Sequence, residues 1–242
     1  GGRGGGSRGR RGGGERGGRG SFYDVRKHKL QSTVQHERDG EALLWEAAKD
    51  PSLPGRHKKG PAVVVLKKDK SRLFSLGQPL VYGGAVDRIE GHEPTTGEAV
   101  LVADDKKALL GWGVFNPVSM YRVRMLQQVH EVAAQPELAL DVCALIRARV
   151  HRAAAVRARL GLPSSDTTAY RLVNGEGDRL TGLIVDRYGD HLVVSSSAAW
   201  VELNKEAVIA ALLAETGCAD AIWRPAAHLK LEGLEESEEA ES

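Results

Sequence analysis

The sequence predicts an α+β protein in which a small β-barrel precedes a small α/β unit. Between residues 61 and 127, many short apolar runs are separated by Gly, Pro or charged turns, which is typical of barrel strands. A long segment with apolar residues at helical spacing then begins at Pro136. Short apolar runs surround a second helical segment further on. These three observations together indicate the mixed class.

The first twenty residues are almost entirely Gly and Arg. They have no apolar surface to bury, so we expect this segment to be disordered. Arg-Gly-Gly triplets at Arg3, Arg11 and Arg16 resemble the RGG segments that bind RNA, because guanidinium groups pair with phosphates and stack on bases. A solvated low-complexity tail would have the same composition, and the residues do not separate the two interpretations. We assign residues 1–60 to this RGG-rich tail and to a basic connector with one short helix at 40–49.

The first folded unit is predicted over residues 61–127 as a closed or partly closed β-barrel. One short helix at 71–76 follows its first strand and ends at Gly77. A polar turn over 104–107 separates two of the later strands. The predicted strands are 62–66, 80–82 with an extension over 85–89, 98–103, 109–115 and 120–126.

The second unit, residues 136–234, opens with a long helix that Gly161 and Pro163 end. Arginines crowd the surface of this helix that is not apolar, and this surface is either an RNA-facing stripe or, more commonly, a solvated face. After the helix we predict the order strand-strand-helix-strand-strand, beginning with a hairpin whose turn is Gly175–Asp178. The hairpin glycines precede a strand and stand beside acidic residues, so they do not match a phosphate-binding loop. Residues 235–242 form an acidic tail.

Two stretches of this sequence resemble one family of RNA-modifying enzymes. The segment from Tyr170 to Asp190 resembles a signature of the PUA-containing, S-adenosylmethionine-dependent rRNA cytosine-C5 methyltransferases. The order of motifs in 61–127 is similar to the PUA domain of the same enzymes, except that Leu80 stands where family members usually carry Trp. The resemblance covers residues 61–234 continuously. The matching PUA residues are Gly77, Pro79, Val81, Tyr82, Gly84, Ala85, Gly111, Gly113, Asn116, Pro117, Ser119, Arg122 and Arg124.

The resemblance implies that the barrel binds structured RNA, and specifically ribosomal RNA. Basic side chains near the first helix and the last strand of the barrel are the candidate phosphate contacts. Tyr82 offers a ring on which a base can stack. The candidate RNA-binding residues in the barrel are Lys67, Lys68, Lys70, Arg72, Tyr82, Arg122 and Arg124. Lysines that merely solubilise the end of a strand are the alternative explanation.

The family's methyl-donor site and catalytic cysteine lie in a C-terminal Rossmann-like domain that has no counterpart in these residues. We therefore expect no catalytic residue and no cofactor in this chain, with S-adenosylmethionine bound only by a full-length parent. The hypothesis is an RNA-binding, targeting portion of an rRNA methyltransferase-like protein. A stand-alone RNA-binding adaptor is the alternative, and a protein-interaction scaffold is a third possibility.

Several other classes of function find no support in the sequence. Two cysteines, Cys143 and Cys218, give neither a disulfide framework nor metal-ligand spacing, and the eight histidines are scattered. No apolar run reaches the roughly 20 residues of a membrane helix. We expect an intracellular protein of the cytoplasm or of an organelle such as a plastid or mitochondrion, with no membrane or metal partner. The chain begins with Gly1, so its true N-terminus is not in view.

Overall fold

The computed structural model describes residues 1–2, 22–53 and 57–234, without the side chains of 22–34, 225, 227 and 228. Its mixed α+β composition confirms the predicted class. The helices are α1 (Phe22–Ala47), α2 (Ser71–Ser75), α3 (Val129–Ala134), α4 (Val142–Arg159), α5 (Ala199–Glu202) and α6 (Lys205–Thr216). The strands are β1 (Val63–Leu66), β2 (Leu80–Tyr82), β3 (Val86–Glu90), β4 (Ala99–Ala103), β5 (Leu109–Phe115), β6 (Tyr121–Gln128), β7 (Ala169–Asn174), β8 (Leu183–Tyr188), β9 (His191–Ser196) and β10 (Asp220–Pro225).

The first six strands form one curled sheet in the order β2-β6-β5-β4-β1-β3. Its two edge strands, β2 and β3, are consecutive in the chain and are joined by a 3-10 turn at Gly83–Ala85. A flat sheet would hold these edges about 24 Å apart, since neighbouring strands lie about 4.8 Å apart. The connecting residues can span at most about 14 Å. The sheet must therefore curl until its edges approach each other, as in a half-barrel.

Two glycines of β5 permit the close approach of β6 at the curl. A Cβ atom added at Gly113 would lie 2.3 Å from the carbonyl oxygen of Arg124, and one at Gly111 would lie 2.2 Å from that of Gln127. Gly111 also has a φ of +154°, and the β5–β6 register shifts between Trp112 and Gly113. The Gly-x-Gly spacing therefore has a packing cause in the barrel wall.

The second sheet has the order β10-β9-β8-β7. The predicted succession of two strands, one helix and two strands is wrong. Three antiparallel strands precede α5 and α6, and only β10 follows them, parallel to β9. The place of the last predicted strand is taken by a 3-10 turn at Ala227–Glu232, and Glu232 is buried in a polar cluster described below.

The predicted basic connector contains α1, which is much longer than the expected helix at 40–49. Gly40 lies against α3 so closely that an added Cβ would be 1.8 Å from the carbonyl oxygen of Val129. One turn later, Leu44 is fully buried in the core. The expected disorder of the Gly/Arg-rich segment, with Arg3, Arg11 and Arg16, lies outside the described residues.

The predicted helix at 136–160 begins later than expected. Pro136 opens a 3-10 turn that ends at Leu138, and Leu140 has a φ of +61°. Asp141 then caps α4 by accepting a hydrogen bond from the amide of Ala144 at 2.8 Å. The preceding helix α3, which the sequence did not indicate, carries a capping box between Gln128 and Glu131.

Both faces of β4, in the middle of the curled sheet, are buried. On β4, Val100 and Val102 point into the inner core of the barrel, whereas Leu101 and Ala103 belong to a second, larger core. That second core also contains Leu145 of α4 and residues of the β7–β10 sheet. The barrel and the second sheet are thus packed together through one continuous apolar layer.

Candidate nucleic-acid interface

The 3-10 turn at Gly83–Ala85 lies at one end of the barrel and is contacted by the loop that follows β1. The backbone amide of Lys67 donates to the carbonyl of Ala85 at 2.9 Å, and its ammonium group donates to that of Gly84 at 2.9 Å. Lys67 is exposed despite these bonds. The basic residues predicted around the first helix therefore begin directly against this turn.

Three further cations of this loop and of α2 are exposed. The side chains of Lys68, Lys70 and Arg72 form no hydrogen bond or ion pair within the part of the chain that the structure describes. Asp69 lies between Lys68 and Lys70 in the sequence but forms no ion pair with them, so residues 67–72 carry four cations against one carboxylate and attract a polyanion. This group remains the best candidate for phosphate contacts.

Tyr82, the residue before the turn, is 43% exposed. Its ring lies 5.1 Å from the ring of Tyr121, with an interplanar angle of 55°. In this tilted arrangement one edge of the Tyr82 ring contacts Tyr121, and the rest of the Tyr82 ring remains accessible. Tyr82 can therefore offer a stacking surface beside the lysine loop.

Arg122, on the neighbouring strand β6, reaches the same turn. Its Nη1 donates to the carbonyl of Asn116 at 3.3 Å and to that of Pro117. Its Nη2 and Nε face Gly83, where an added Cβ would lie 3.3 and 3.5 Å away. These two nitrogens have no acceptor within the described residues. The structure therefore brings Lys67, Tyr82 and Arg122 together.

Arg124 is not part of this surface, contrary to the prediction from its position in the Arg-x-Arg strand. It is only 7% exposed. Its Nη1 donates to Thr181 Oγ1 at 3.1 Å, and its Nη2 donates to Glu232 Oε1 at 3.0 Å. Residues two apart in a regular strand share a face, but the β2–β6 register shifts between Val81 and Tyr82, so Arg124 points toward the second unit while Arg122 reaches the turn. A buried, paired guanidinium is not available to a phosphate.

The partner of Arg124, Glu232, is the centre of a polar cluster that sequence reasoning missed. Its Oε1 also accepts from Ser119 Oγ at 2.6 Å, and its Oε2 accepts from Asn116 Nδ2 at 3.2 Å and from the Ala199 amide at 3.3 Å. Glu232 is 6% exposed. The signal was present in the Asn-Pro-x-Ser and Arg-x-Arg patterns, of which Asn116, Ser119 and Arg124 converge on this carboxylate.

The arginines of α4 are divided between internal contacts and the surface. Arg149 donates to the carbonyls of Leu126 and Arg179, and burial lowers its pKa to about 10, so it stays charged at neutral pH. Arg157 forms a bidentate pair with Asp178 at 2.7 and 2.8 Å. Arg147, Arg152 and Arg159 are exposed. Two of these five arginines thus fasten α4 to its neighbours, and three remain on the surface.

The Gly175–Asp178 segment is a 3-10 turn that leads toward β8, in agreement with the turn interpretation. The carboxylate of Asp178 accepts from the backbone amide of Asn174 at 2.7 Å as well as from Arg157. A methyl-donor or nucleotide loop would instead aim free amides and a helix N-terminus at its ligand. These residues do not fit a methyl donor.

The described residues offer neither a metal site nor a membrane-spanning helix. No group of three or more His, Cys, Asp or Glu side chains there is arranged to hold a metal ion. No helix of that part is long and apolar enough to cross a membrane. Cys218 is buried, Cys143 is half-buried, and neither is in a disulfide.

Comparison with known proteins supports the barrel assignment. Residues 64–128 match the family model described as a PUA-like domain. Part of the chain is 33% identical over 153 residues to ribosomal RNA large subunit methyltransferase I of Photobacterium profundum, covering 62% of this chain and 36% of that protein. The enzyme of the same name from Tolumonas auensis is 31% identical over 149 residues, covering 62% and 35%. The chain thus spans about a third of the length of these curated relatives.

A solved structure shares the fold. "A putative sam-dependent methyltransferase from Streptococcus mutans" superimposes with a TM-score of 0.55 at 17% identity, covering 67% of this chain and 40% of that one. A second structure with the same TM-score and coverage is that of "a putative methyltransferase complexed with SAH". At this identity the likeness shows the fold alone. The chain therefore contains a PUA-like domain and is homologous to rRNA methyltransferases.

Proposed function

We propose that this chain binds ribosomal RNA through the surface around the turn at Gly83–Ala85. The observation that carries the proposal is the convergence of Lys67, Tyr82 and Arg122 at one end of a PUA-like barrel, next to three unpaired cations. RNA with unpaired bases is usually bound by cations that contact successive phosphates and by an exposed aromatic ring on which a base stacks.

The charges around the turn favour a polyanion over an acidic protein partner of defined shape. The cations lie on one short loop and helix, so they can follow successive phosphates. Nearby carboxylates on β3 are already engaged, since Asp87 and Glu90 pair with Arg88, and Glu90 also pairs with Lys107. Asp69 and Glu93 form no ion pair within the described residues, but they are outnumbered by Lys67, Lys68, Lys70, Arg72 and Arg122, so the net charge around the turn is positive.

We further propose that this binding serves an rRNA cytosine-C5 methyltransferase, as the targeting portion of a longer parent chain. The named relatives methylate ribosomal RNA of the large subunit, and they are about three times as long as the matched region. In this proposal the barrel positions the RNA, and the parent's other residues bind S-adenosylmethionine and transfer the methyl group. Sequencing the transcript beyond the codon for Ser242 tests this step, because an immediate stop codon would contradict it.

The RNA surface is tested by removing its four free or nearly free lysine and arginine side chains together. We expect the variant with Lys67→Ala, Lys68→Ala, Lys70→Ala and Arg72→Ala to lose most of its affinity for a labelled single-stranded RNA. Each lost phosphate contact should reduce the slope of log affinity against log salt by about 0.7. Fluorescence anisotropy at several salt concentrations measures both quantities.

A matched control removes the same charge elsewhere. The variant with Arg147→Ala, Arg152→Ala, Arg159→Ala and Arg224→Ala loses four exposed arginines of the second unit. We expect it to keep the wild-type salt slope. If the control loses affinity and the barrel variant does not, the RNA surface lies on the second unit and the proposed site is wrong.

A further inference from the structure

A cleft opens beside the same turn at the end of the barrel. Its volume is about 310 Å³, near the lower limit for ligand pockets, which suits one planar base better than a whole nucleotide. Val86, Ile89, Phe115 and Pro117 supply apolar walls. Such walls can cover the two faces of an aromatic ring.

The polar lining of the cleft contains one strong donor and one strong acceptor. Arg122 lines it, and the Nη2 and Nε of this guanidinium have no acceptor within the described residues. Glu93 also lines it, is exposed, and makes no hydrogen bond or ion pair in that part of the chain. A ligand that offers both acceptors and donors along its rim would satisfy both groups.

We propose that this cleft binds a single unpaired guanine base of the RNA, an inference that rests on the proposed function. Guanine presents the acceptors O6 and N7 to an arginine fork, and its N1–H and N2 amino groups can donate to a carboxylate. Adenine would instead turn its N1 acceptor toward Glu93, and cytosine its N3 acceptor. The base must be unpaired, since a paired one hides the edge that Glu93 would contact.

The position of the cleft agrees with the phosphate contacts already proposed. Its wall includes Gly83, and Lys67 is bonded to the next residue of that turn, Gly84. A strand whose base enters the cleft would therefore place a flanking phosphate near the lysine loop. Binding in the cleft would give the surface a preference for one base, whereas the lysine loop recognises only the charge of the phosphates.

Two glycines of the turn provide a matched pair of variants. Gly83 does not have a positive φ, so alanine fits its backbone, but the added Cβ would lie 3.3 Å from Arg122 Nη2 and push on the guanidinium. An added Cβ at Gly84 meets nothing within 4 Å. Gly83→Ala should therefore disturb the cleft, and Gly84→Ala should not, while both leave the fold unchanged.

The test measures the affinity of wild type and of both variants for RNA oligonucleotides of about ten nucleotides. All are cytidine except at one central position, which is G, A, U or C. We expect wild type and Gly84→Ala to bind the G oligonucleotide about tenfold more tightly than the A or C ones. Gly83→Ala and Glu93→Gln should lose that preference and retain the salt-dependent binding.

Different results of this experiment distinguish the guanine site from RNA binding as such. Wild type that binds all four oligonucleotides equally, or prefers uracil, would overturn the guanine site and leave RNA binding in place. A full preference for guanine in Gly83→Ala would also overturn it. No binding of any oligonucleotide by wild type at low salt would overturn both the site and the proposed function.

Discussion

Four donors surround the Glu232 carboxylate, and they come from separate parts of the chain. Ser119, Asn116 and Arg124 belong to the barrel, and the Ala199 amide belongs to the second unit. A buried carboxylate with an arginine partner is costly to dehydrate, so its benefit depends on every bond being made. At the scale of one residue, Glu232 therefore connects the two sheets.

Glu232→Ala should reduce the free energy of unfolding by about 3–5 kcal/mol, because it leaves the Arg124 charge buried without a partner. Adding Arg124→Met to this variant should restore part of the loss, since the stranded charge is then removed. Urea denaturation measures all three proteins. Glu206→Gln, an exposed glutamate of α6, is the control and should unfold as wild type does. A Glu232→Ala value within about 0.5 kcal/mol of wild type would contradict this role.

At the scale of elements, α1 shows how packing can override a polar sequence. Residues 22–39 have no apolar periodicity, so a connector was the natural prediction. The helix forms against α3, where Gly40 allows contact with the Val129 carbonyl and Leu44 enters the core. Helices of this kind obtain most of their stability from tertiary contacts.

The substitution Gly40→Ala has two effects of opposite sign on the free energy of unfolding. Alanine favours a helix by about 1 kcal/mol over glycine. Its Cβ would, however, overlap the Val129 carbonyl at 1.8 Å, so α1 must shift or detach. We expect a net loss of roughly 1–3 kcal/mol in the unfolding free energy.

Chemical denaturation followed by circular dichroism measures the effect of Gly40→Ala. The exposed position Arg38 offers the control variant Arg38→Ala, which should be neutral. A Gly40→Ala protein that is as stable as wild type would show that α1 does not pack on α3 as described.

For the whole molecule, the barrel was the part that could be predicted from sequence. Its strands are short, apolar and ended by turn residues, so local signals located β1, β2, β4 and β5 within a residue or two. The relation between the two units could not be predicted. It depends on Arg124 and Glu232, which are far apart in the chain and look like surface charges until the fold brings them together.

Part of the candidate site could also be predicted, because residue types are visible in the sequence, but the orientation of the side chains could not. Lys67, Tyr82 and Arg122 were chosen by residue type and resemblance, and the structure places them around one turn. Nothing in the sequence indicated that Arg124 faces inward or that Glu93 lines a cleft with Arg122. Orientation on a curled sheet depends on bulges, such as the register shift between Val81 and Tyr82 in the β2–β6 pair.

The salt dependence of RNA binding by the unmodified chain tests the central claim most directly. With three or four phosphate contacts, the slope of log affinity against log salt should be about −2 to −3 for single-stranded RNA. Between about 50 and 200 mM salt, affinity measured by anisotropy should then fall about 30-fold. RNA binding that is absent at the lowest salt, or that does not change with salt, would contradict an electrostatic RNA surface on this barrel.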